Sequence, residues 1–318
     1  MKAAVMRANN APLAMEDVRI DEPGPGEVRV KTVASGICHS DLTVLEGGLP
    51  VPPPCILGHE PAGIVEAVGP GVTDFRPGDH VIGCITSWCG VCKLCTEGRP
   101  YLCPSQLVGR PPGAKPRLAS ADGGELYQFA NLSSFAESML CPERSLVKIR
   151  DDMPLDRAAL IGCGVTTGVG AVMNTAQVRP GDTVAVLGCG GIGLNAIQAA
   201  AISGAGRVIA IDRLASKLAM AEAFGATDLV DASVDDPVLA VRELTGGGVD
   251  FSFEAIGLKA TAEAAFDMLG KGGTATLIGM VPIGQRLAFE QFGRPHHAVH
   301  RRPNFVAHGG EECRLGLV

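Results

Sequence analysis

The stretch VAVLGCGGIGLNAIQAAA, residues 184–201, joins a short apolar run to a glycine-rich turn and an Ala-rich segment. The run Val184–Leu187 predicts a buried strand, and the segment Leu194–Ala201 predicts a helix. Strand, turn and helix in this order are typical of a dinucleotide-binding unit, whose helix N-terminus faces the pyrophosphate. The turn carries four glycines, three of them in G-x-G-x-x-G spacing: Gly188, Gly190, Gly191 and Gly193.

Asp212 ends the next apolar run, near the place where dinucleotide-binding proteins carry an acid for the adenosine ribose hydroxyls. Because a carboxylate there repels a 2′-phosphate, the sequence favours NAD over NADP. Arg213 beside it is compatible with a phosphate and leaves that preference open. The alternative interpretation is that the glycines form only a tight turn between strand and helix.

The chain has two regions that differ in their pattern of apolar runs and turns. Up to about residue 160, short β-type runs alternate with Pro/Gly turns, which predicts an irregular, barrel-like all-β domain. From residue 161 to 286, apolar runs alternate with Ala-rich helical segments, which predicts an α/β domain with a doubly wound parallel sheet. The predicted strands of that sheet are 184–187, 207–211, 228–230, 250–253 and 274–278.

Four cysteines form a compact C-x2-C-x2-C-x7-C cluster: Cys89, Cys92, Cys95 and Cys103. Four thiolates in one short segment suit a tetrahedral structural zinc ion. Residues 85–110 are therefore predicted to form a structural-zinc lobe within the first domain.

A second possible zinc site involves Cys38, His59 and Cys163. Each residue alone has an ordinary explanation, because a buried cysteine is usually inert and a lone histidine is more often a core residue. Two thiolates and one imidazole would leave the fourth zinc position open, as a catalytic site requires. The spacing in the sequence does not by itself join the three.

The motif G-H-E-x-x-G-x5-G-x2-V is matched in full between Gly58 and Val72. With the two cysteine sets and the glycine-rich turn in the same order, the chain resembles the zinc-dependent alcohol dehydrogenases of the medium-chain dehydrogenase/reductase family over residues 1–286. The resemblance implies a GroES-like catalytic domain in residues 1–160 and a Rossmann NAD-binding domain in residues 161–286. It also implies two zinc ions per subunit and NAD.

The resemblance assigns roles at the catalytic site. Glu60 would lie behind the metal, and Asp41 would fix the tautomer of the ligating histidine. Ser40 has the position whose hydroxyl takes the substrate proton, while Thr43 stands where some members end the proton relay with a histidine. The implied zinc ligands are Cys38, His59 and Cys163.

The resemblance also implies contacts with NAD. His39 would meet the pyrophosphate, Thr167 would lie near the nicotinamide, and Lys217 would join Asp212 at the adenosine ribose. Without the resemblance, a solvated surface charge would be the simpler interpretation of His39 and Lys217.

The implied reaction is reversible hydride transfer from a primary, allylic or aromatic alcohol to NAD. A polyol dehydrogenase of the same superfamily is the first alternative, disfavoured because that group commonly lacks the cysteine found as Cys163. The second alternative is a catalytically inactive relative that binds zinc and NAD.

The composition excludes other classes of function. The net charge is −7, and basic residues form no run before the last part of the chain, which argues against a nucleic-acid partner. The opening MKAAVMRA lacks the apolar core of a signal peptide, and no apolar run is long enough to cross a bilayer. We therefore expect a cytoplasmic protein whose 11 cysteines are thiols and metal ligands.

Residues 287–318 have a different composition and show neither a helical nor a strand period. Because this block does not resemble the family, a truncation or a reading-frame change is the interpretation we favour. We expect a poorly structured tail and a Rossmann sheet that lacks its final elements. The family usually forms homodimers or homotetramers, and the edge used for dimerisation would be missing. Four of the seven histidines lie in this block: His296, His297, His300 and His308.

Overall fold

The structure is a computed structural model that describes residues 1–105 and 109–288. Contacts between residues divide the chain into two units, Met1–Cys163 and Gly164–Val318. The predicted tail falls almost entirely outside the described residues.

The described part of the first unit is built mainly from two five-stranded sheets, in which β4 and β8 are parallel neighbours and the other neighbours are antiparallel. One sheet has the order β7-β2-β1-β4-β8, with β1 Lys2–Met6, β2 Ala14–Ile20, β4 Cys55–Ile56, β7 Leu118–Ser120 and β8 Tyr127–Gln128. The other has the order β10-β6-β5-β3-β9, with β3 Glu27–Gly36, β5 Glu60–Val68, β6 His80–Gly83, β9 Ser138–Pro142 and β10 Leu146–Lys148.

Short helices connect these strands. The α-helices are α1 His39–Leu45, α2 Lys93–Thr96 and α3 Leu155–Ala158. Single 3₁₀ turns cover Pro100–Leu102, Phe129–Asn131, Glu143–Ser145 and Ala159–Gly162. Because only two residues separate the end of β3 from the start of α1, the first turn of this helix lies directly beyond that strand.

The second unit contains a parallel sheet of the order β13-β12-β11-β14-β15 within the described residues. Its strands are β11 Thr183–Leu187, β12 Arg207–Asp212, β13 Asp228–Asp231, β14 Val249–Glu254 and β15 Leu269–Leu277. The α-helices are α4 Gly164–Gly170, α5 Gly191–Ile202, α6 Ala215–Ala223, α7 Pro237–Thr245 and α8 Lys259–Asp267, and a π-helical segment covers Ala171–Ala176. All five predicted strands are confirmed, the last one with an earlier start.

Both faces of this sheet are buried, which explains its continuous apolar runs. Successive residues of β11 belong to opposite cores, since Val184 and Val186 pack with α5 residues such as Ile197. Ala185 and Leu187 pack on the other face, in the cluster that includes Ala262 and Ala265 of α8.

No single helix among residues 1–105 and 109–288 is both long and apolar enough to span a membrane. Two consecutive helical segments, Leu155–Gly162 and Gly164–Ala176, reach that length and composition only when taken together, as core helices of globular proteins also can.

Candidate active site and metal centres

Cys38 is fixed by the start of α1, where it is the N-cap residue. Its Sγ accepts a hydrogen bond from the Ser40 backbone N–H at 3.5 Å, and Asp41 Oδ2 accepts one from the Cys38 N–H at 3.1 Å. This reciprocal arrangement is a capping box, with a cysteine in place of the usual serine. Local sequence therefore sets the position of the first candidate ligand.

Asp41 also connects this helix to the second candidate ligand. Its Oδ1 accepts a hydrogen bond from the Gly58 N–H at 3.0 Å and lies 3.2 Å from His59 Nδ1. Asp41 and His59 are both 3% exposed, and the Phe129 ring meets the imidazole edge-on at 5.6 Å. With Nδ1 engaged by the carboxylate, Nε2 is the nitrogen left for a metal.

Four side chains of the first unit bring ligand atoms to within 4.8 Å of one another: Cys38, His59, Glu60 and Cys163. Glu60 opens β5 and is buried, so its carboxylate lies among the three predicted ligands. Two sulfurs, one imidazole and one carboxylate are donors that zinc prefers, and the cluster has the size of a single-ion site. The residues fit a zinc ion.

The protonation of these groups is strongly coupled. Hydrogen bonding with Cys163 and His59 outweighs burial and lowers the pKa of Cys38 to about 3. Burial alone would lower the pKa of His59, but Asp41 and Cys38 raise it to about 10. The pKa of Cys163 is raised, chiefly by the Cys38 sulfur, so zinc binding must release protons from this site.

The cysteine lobe is the second metal centre. Cys92 Sγ lies 3.4 Å from Cys95 Sγ and 3.9 Å from Cys103 Sγ, while the Cys89 and Cys95 sulfurs are 4.0 Å apart. A tetrahedral zinc ion with bonds of about 2.3 Å requires sulfurs about 3.8 Å apart. The four sulfurs of the lobe fit that ion. The ten cysteines that the structure describes are all free of disulfides.

Backbone N–H groups donate hydrogen bonds to the cysteine sulfurs of this lobe. The N–H groups of Val91 and Cys92 lower the pKa of Cys89 to about 6. The Cys103 sulfur accepts hydrogen bonds from the Cys89 and Ser105 N–H groups at 3.3 and 3.4 Å. Amide donors stabilise thiolates, which are the metal-binding form.

In the second unit, the glycine-rich turn has the geometry of a phosphate-binding loop. Gly188 has φ +91°, a backbone angle that residues with a side chain rarely adopt. A Cβ on Gly193 would collide with the Gly188 carbonyl oxygen. Gly190 is the N-cap of α5 and Gly191 is its first residue. The unpaired N–H groups at the start of α5 can therefore receive a phosphate closely.

Asp212 is linked to the same turn. Its Oδ2 accepts a hydrogen bond from the Cys189 N–H at 2.8 Å, and its Oδ1 accepts from the N–H groups of Arg213 and Leu214 at 2.8 and 3.1 Å. Lys217 Nζ lies 3.9 Å from Oδ2. The structure thus brings Asp212 and Lys217 together, and their shared role at the adenosine ribose stays a prediction.

The remaining predicted site residues are Ser40, His39 and Thr167. Ser40 Oγ lies 3.6 Å from Cys38 Sγ, and His39 is exposed at the first position of α1. Thr167 is half-buried in α4 of the second unit. Sequence reasoning missed Phe129, whose contact with His59 arises between distant segments and leaves no local signal.

Comparison with known proteins identifies the family. Residues 24–151 match the family described as alcohol dehydrogenase GroES-like domain, and residues 191–301 match the zinc-binding dehydrogenase family. The second match continues beyond residue 286, where the predicted resemblance ended. Alcohol dehydrogenase class-3 of Dictyostelium discoideum is 40% identical over 302 residues, which cover 92% of this chain and 79% of that protein. The chain belongs to the zinc-dependent alcohol dehydrogenases.

Other proteins similar to this dehydrogenase are also named as dehydrogenases. S-(hydroxymethyl)glutathione dehydrogenase of Saccharomyces cerevisiae is 41% identical, with 91% of this chain and 78% of that protein covered. The crystal structure of benzyl alcohol dehydrogenase from Acinetobacter calcoaceticus matches with a TM-score of 0.83 and 36% identity, over 91% of this chain and 80% of that one. The predicted family, the two-domain fold and the zinc- and NAD-dependent oxidoreductase class are confirmed, and nothing favours the polyol dehydrogenase alternative.

Proposed function

We propose that this dehydrogenase oxidises primary, allylic or aromatic alcohols to aldehydes with NAD, and catalyses the reverse reduction. The observation that carries the proposal is the cluster of Cys38, His59, Glu60 and Cys163, whose ligand atoms lie within 4.8 Å of one another. Aromatic alcohols are included because one structural neighbour is named a benzyl alcohol dehydrogenase.

Zinc, held by Cys38, His59 and Cys163, would supply Lewis acidity toward the alcohol oxygen. The Asp41 carboxylate keeps the His59 ring oriented, because it engages Nδ1 at 3.2 Å. Ser40 would accept the hydroxyl proton, since its Oγ lies beside the Cys38 sulfur. Thr43 cannot extend the relay in this conformation, because its hydroxyl donates to the His39 carbonyl oxygen at 2.9 Å. We therefore expect the proton to leave the half-exposed Ser40 directly to water.

NAD would supply the hydride acceptor. The turn from Gly188 to Gly193 would bind its pyrophosphate, and Asp212 with Lys217 would bind the adenosine ribose. The assignments of His39 and Thr167 stay predictions. So do the cytoplasmic location and the oligomeric state.

The test is zinc content and NAD reduction of the purified chain with benzyl alcohol. We expect two zinc ions, one for each cluster, and turnover. Cys163→Ala should remove one zinc and abolish turnover with little loss of fold, whereas Cys84→Ser, a half-buried thiol outside both clusters, should change neither. A wild-type chain with two zinc ions and no turnover on a panel of alcohols would instead support the inactive relative. Normal turnover of Cys163→Ala would reject its role as a ligand.

A further inference from the structure

The segment that follows β8, residues 129–133, is a strained turn with a left-handed backbone at three residues that carry side chains. The φ angles are +53° at Ala130, +60° at Asn131 and +56° at Ser133. In the described parts of the chain, five residues other than glycine have a positive φ, and three of them lie in this turn. Because this conformation is unfavourable for residues with a Cβ, it persists where the surrounding structure imposes it.

The hydroxyl of Ser133 holds the strained turn closed. Its Oγ donates a hydrogen bond to the Ile56 carbonyl oxygen at 2.7 Å and accepts one from the Phe129 N–H at 3.0 Å. The N–H groups of Leu132 and Ser133 both donate to the Phe129 carbonyl oxygen, at 3.0 and 3.1 Å. Ser133 is 0% exposed, so loss of its hydroxyl would leave buried backbone groups without a partner. One side chain therefore fixes the position of Phe129 relative to β4.

The two residues after Ser133 pack on the segment that leads to His59. The Ser134 N–H donates to the Gly58 carbonyl oxygen at 3.0 Å, and the Phe135 N–H donates to the Leu57 carbonyl oxygen at 3.0 Å. A Cβ on Gly58 would lie 2.6 Å from Ser134 Oγ and 2.5 Å from Phe135 Cδ1. Since Gly58 directly precedes His59, these contacts join the strained turn to the segment that carries the candidate zinc ligand.

Phe129 connects the strained turn to the imidazole of His59. The two rings meet at 85°, with 5.6 Å between their centroids. Asp41 restrains one edge of the imidazole, because its Oδ1 lies 3.2 Å from Nδ1. The Phe129 ring restrains the imidazole at a second place, so the two contacts together set the direction in which Nε2 points. That nitrogen is the one left for a metal.

We infer that Ser133 is a positioning residue for the zinc ligand His59, acting through the strained turn and the Phe129 ring. Its hydroxyl bonds to backbone groups of Ile56 and Phe129 rather than to a ligand. The inference rests on the proposed catalytic zinc site to which His59 belongs.

Binding of Co²⁺ tests the inference, because the visible absorption of this ion reports the geometry of its ligands. The chain, with zinc retained in the cysteine lobe, is titrated with Co²⁺ at the proposed catalytic site. Ser133→Ala should raise the Kd for Co²⁺ about tenfold and shift the absorption bands, since a metal ligand loses its support. Ser252→Ala is the matched control, because it removes another buried serine hydroxyl, which donates to the Ala265 carbonyl oxygen at 2.6 Å in the second unit. It should lower the Tm and leave both Co²⁺ readouts unchanged.

Phe129→Leu shows whether Ser133 acts through the aromatic ring. This change removes the edge-on contact with His59 and keeps the hydrogen bond to Ser133, which involves the backbone N–H of residue 129. It should raise the Kd for Co²⁺ about as much as Ser133→Ala does, and the double variant should bind no more weakly than the weaker single variant. Effects that multiply in the double variant would mean that the two residues act independently, which would overturn the inference.

Ser133→Gly separates the hydroxyl from the backbone conformation and does not depend on the folding of the alanine variant. Glycine adopts a φ of +56° freely, so this variant should be more stable than Ser133→Ala and yet bind Co²⁺ as weakly. Wild-type affinity and absorption in either variant would contradict the inference. If Cys163→Ala bound Co²⁺ as the wild-type chain does, the proposed zinc site itself would be wrong, and the role of Ser133 with it.

Discussion

The guanidinium carbon of Arg144 lies 4.5 Å from the centroid of the Trp88 ring. Arg144 belongs to the 3₁₀ turn between β9 and β10, and Trp88 directly precedes Cys89, the first sulfur of the lobe. Arg144 Nη1 also donates to the Trp88 carbonyl oxygen at 3.3 Å. A Cβ on Gly90, which has φ +78°, would collide with the same guanidinium. The arginine therefore anchors the start of the cysteine lobe to the β-rich body of the first unit.

Arg144→Ala should loosen this attachment. Loss of the cation–π contact and of one exposed hydrogen bond should cost about 1 kcal/mol and speed the loss of lobe zinc to a chelator. Trp88 is the only tryptophan in the chain, so its fluorescence reports on this lobe alone. Arg150→Ala is a suitable control, because within the part of the chain that the structure describes Arg150 pairs with the exposed Asp152. Identical rates of zinc loss in both variants would remove Arg144 from this role.

Cys95→Ser should act mainly on stability. The Cys95 sulfur lies 3.4 and 4.0 Å from those of Cys92 and Cys89. Its loss leaves three of the four sulfur ligands and should release the lobe zinc. We expect a lower Tm and one zinc ion fewer per chain, measured by calorimetry and metal analysis. Cys84→Ser again serves as the control, since that thiol lies outside both clusters. An unchanged Tm together with an unchanged zinc content would contradict the structural site.

Asp212→Gly should shift the cofactor preference toward NADP. The carboxylate at the end of β12 would repel a 2′-phosphate, and its removal leaves Arg213 and Lys217 nearby. We expect the ratio of kcat/KM for NAD to that for NADP to fall about tenfold or more. Asp231→Asn, at the end of the next strand, is the control and should leave this ratio unchanged. The Asp212 variant should also lose some stability, because the N–H groups of Cys189, Arg213 and Leu214 lose their acceptor.

The sequence predicted those features whose determinants are local or periodic. The five parallel strands follow from apolar runs, because both faces of the sheet are buried. The cysteine lobe follows from ligand spacing within one short segment. The spacing alone could not join Cys38, His59 and Cys163, since they come from a helix start, a strand junction and the end of a 3₁₀ turn. The resemblance to a family was needed there.

Other features could not have been predicted in this way. The contact of Arg144 with Trp88 joins residues that are far apart in the chain, through single side chains without a repeating pattern. From the sequence alone, Glu254 is an ordinary polar residue at the end of a predicted strand. The backbone N–H groups of Ile256 and Gly257 converge on one of its oxygens, a contact that no sequence pattern indicates.

Glu27 should make the first unit sensitive to acid. It is 5% exposed at the start of β3, where Arg110 and Arg117 contact its carboxylate at 2.6 and 2.7 Å. Burial would raise the pKa of this carboxyl, but Arg110, the Gly24 N–H and Arg117 together lower it from 4.5 to about 2. A carboxyl whose pKa is lowered by folding stabilises the fold fully above its unfolded pKa. That contribution should disappear as the pH falls from about 4.5 to about 2.

Urea unfolding of the wild-type chain and Glu27→Gln should show this dependence. Above pH 5 the variant should be less stable by on the order of 2 kcal/mol, and the difference should shrink steadily as the pH falls toward about 2. Taking the difference between the two proteins cancels the loss of zinc at low pH, since Glu27 belongs to neither metal cluster. Glu22→Gln is the control, because Glu22 pairs with Arg29 through a largely exposed side chain. A difference that stays constant between pH 5 and pH 3 would mean that Glu27 titrates alike in the folded and unfolded chain, and that its two arginines contribute packing rather than charge.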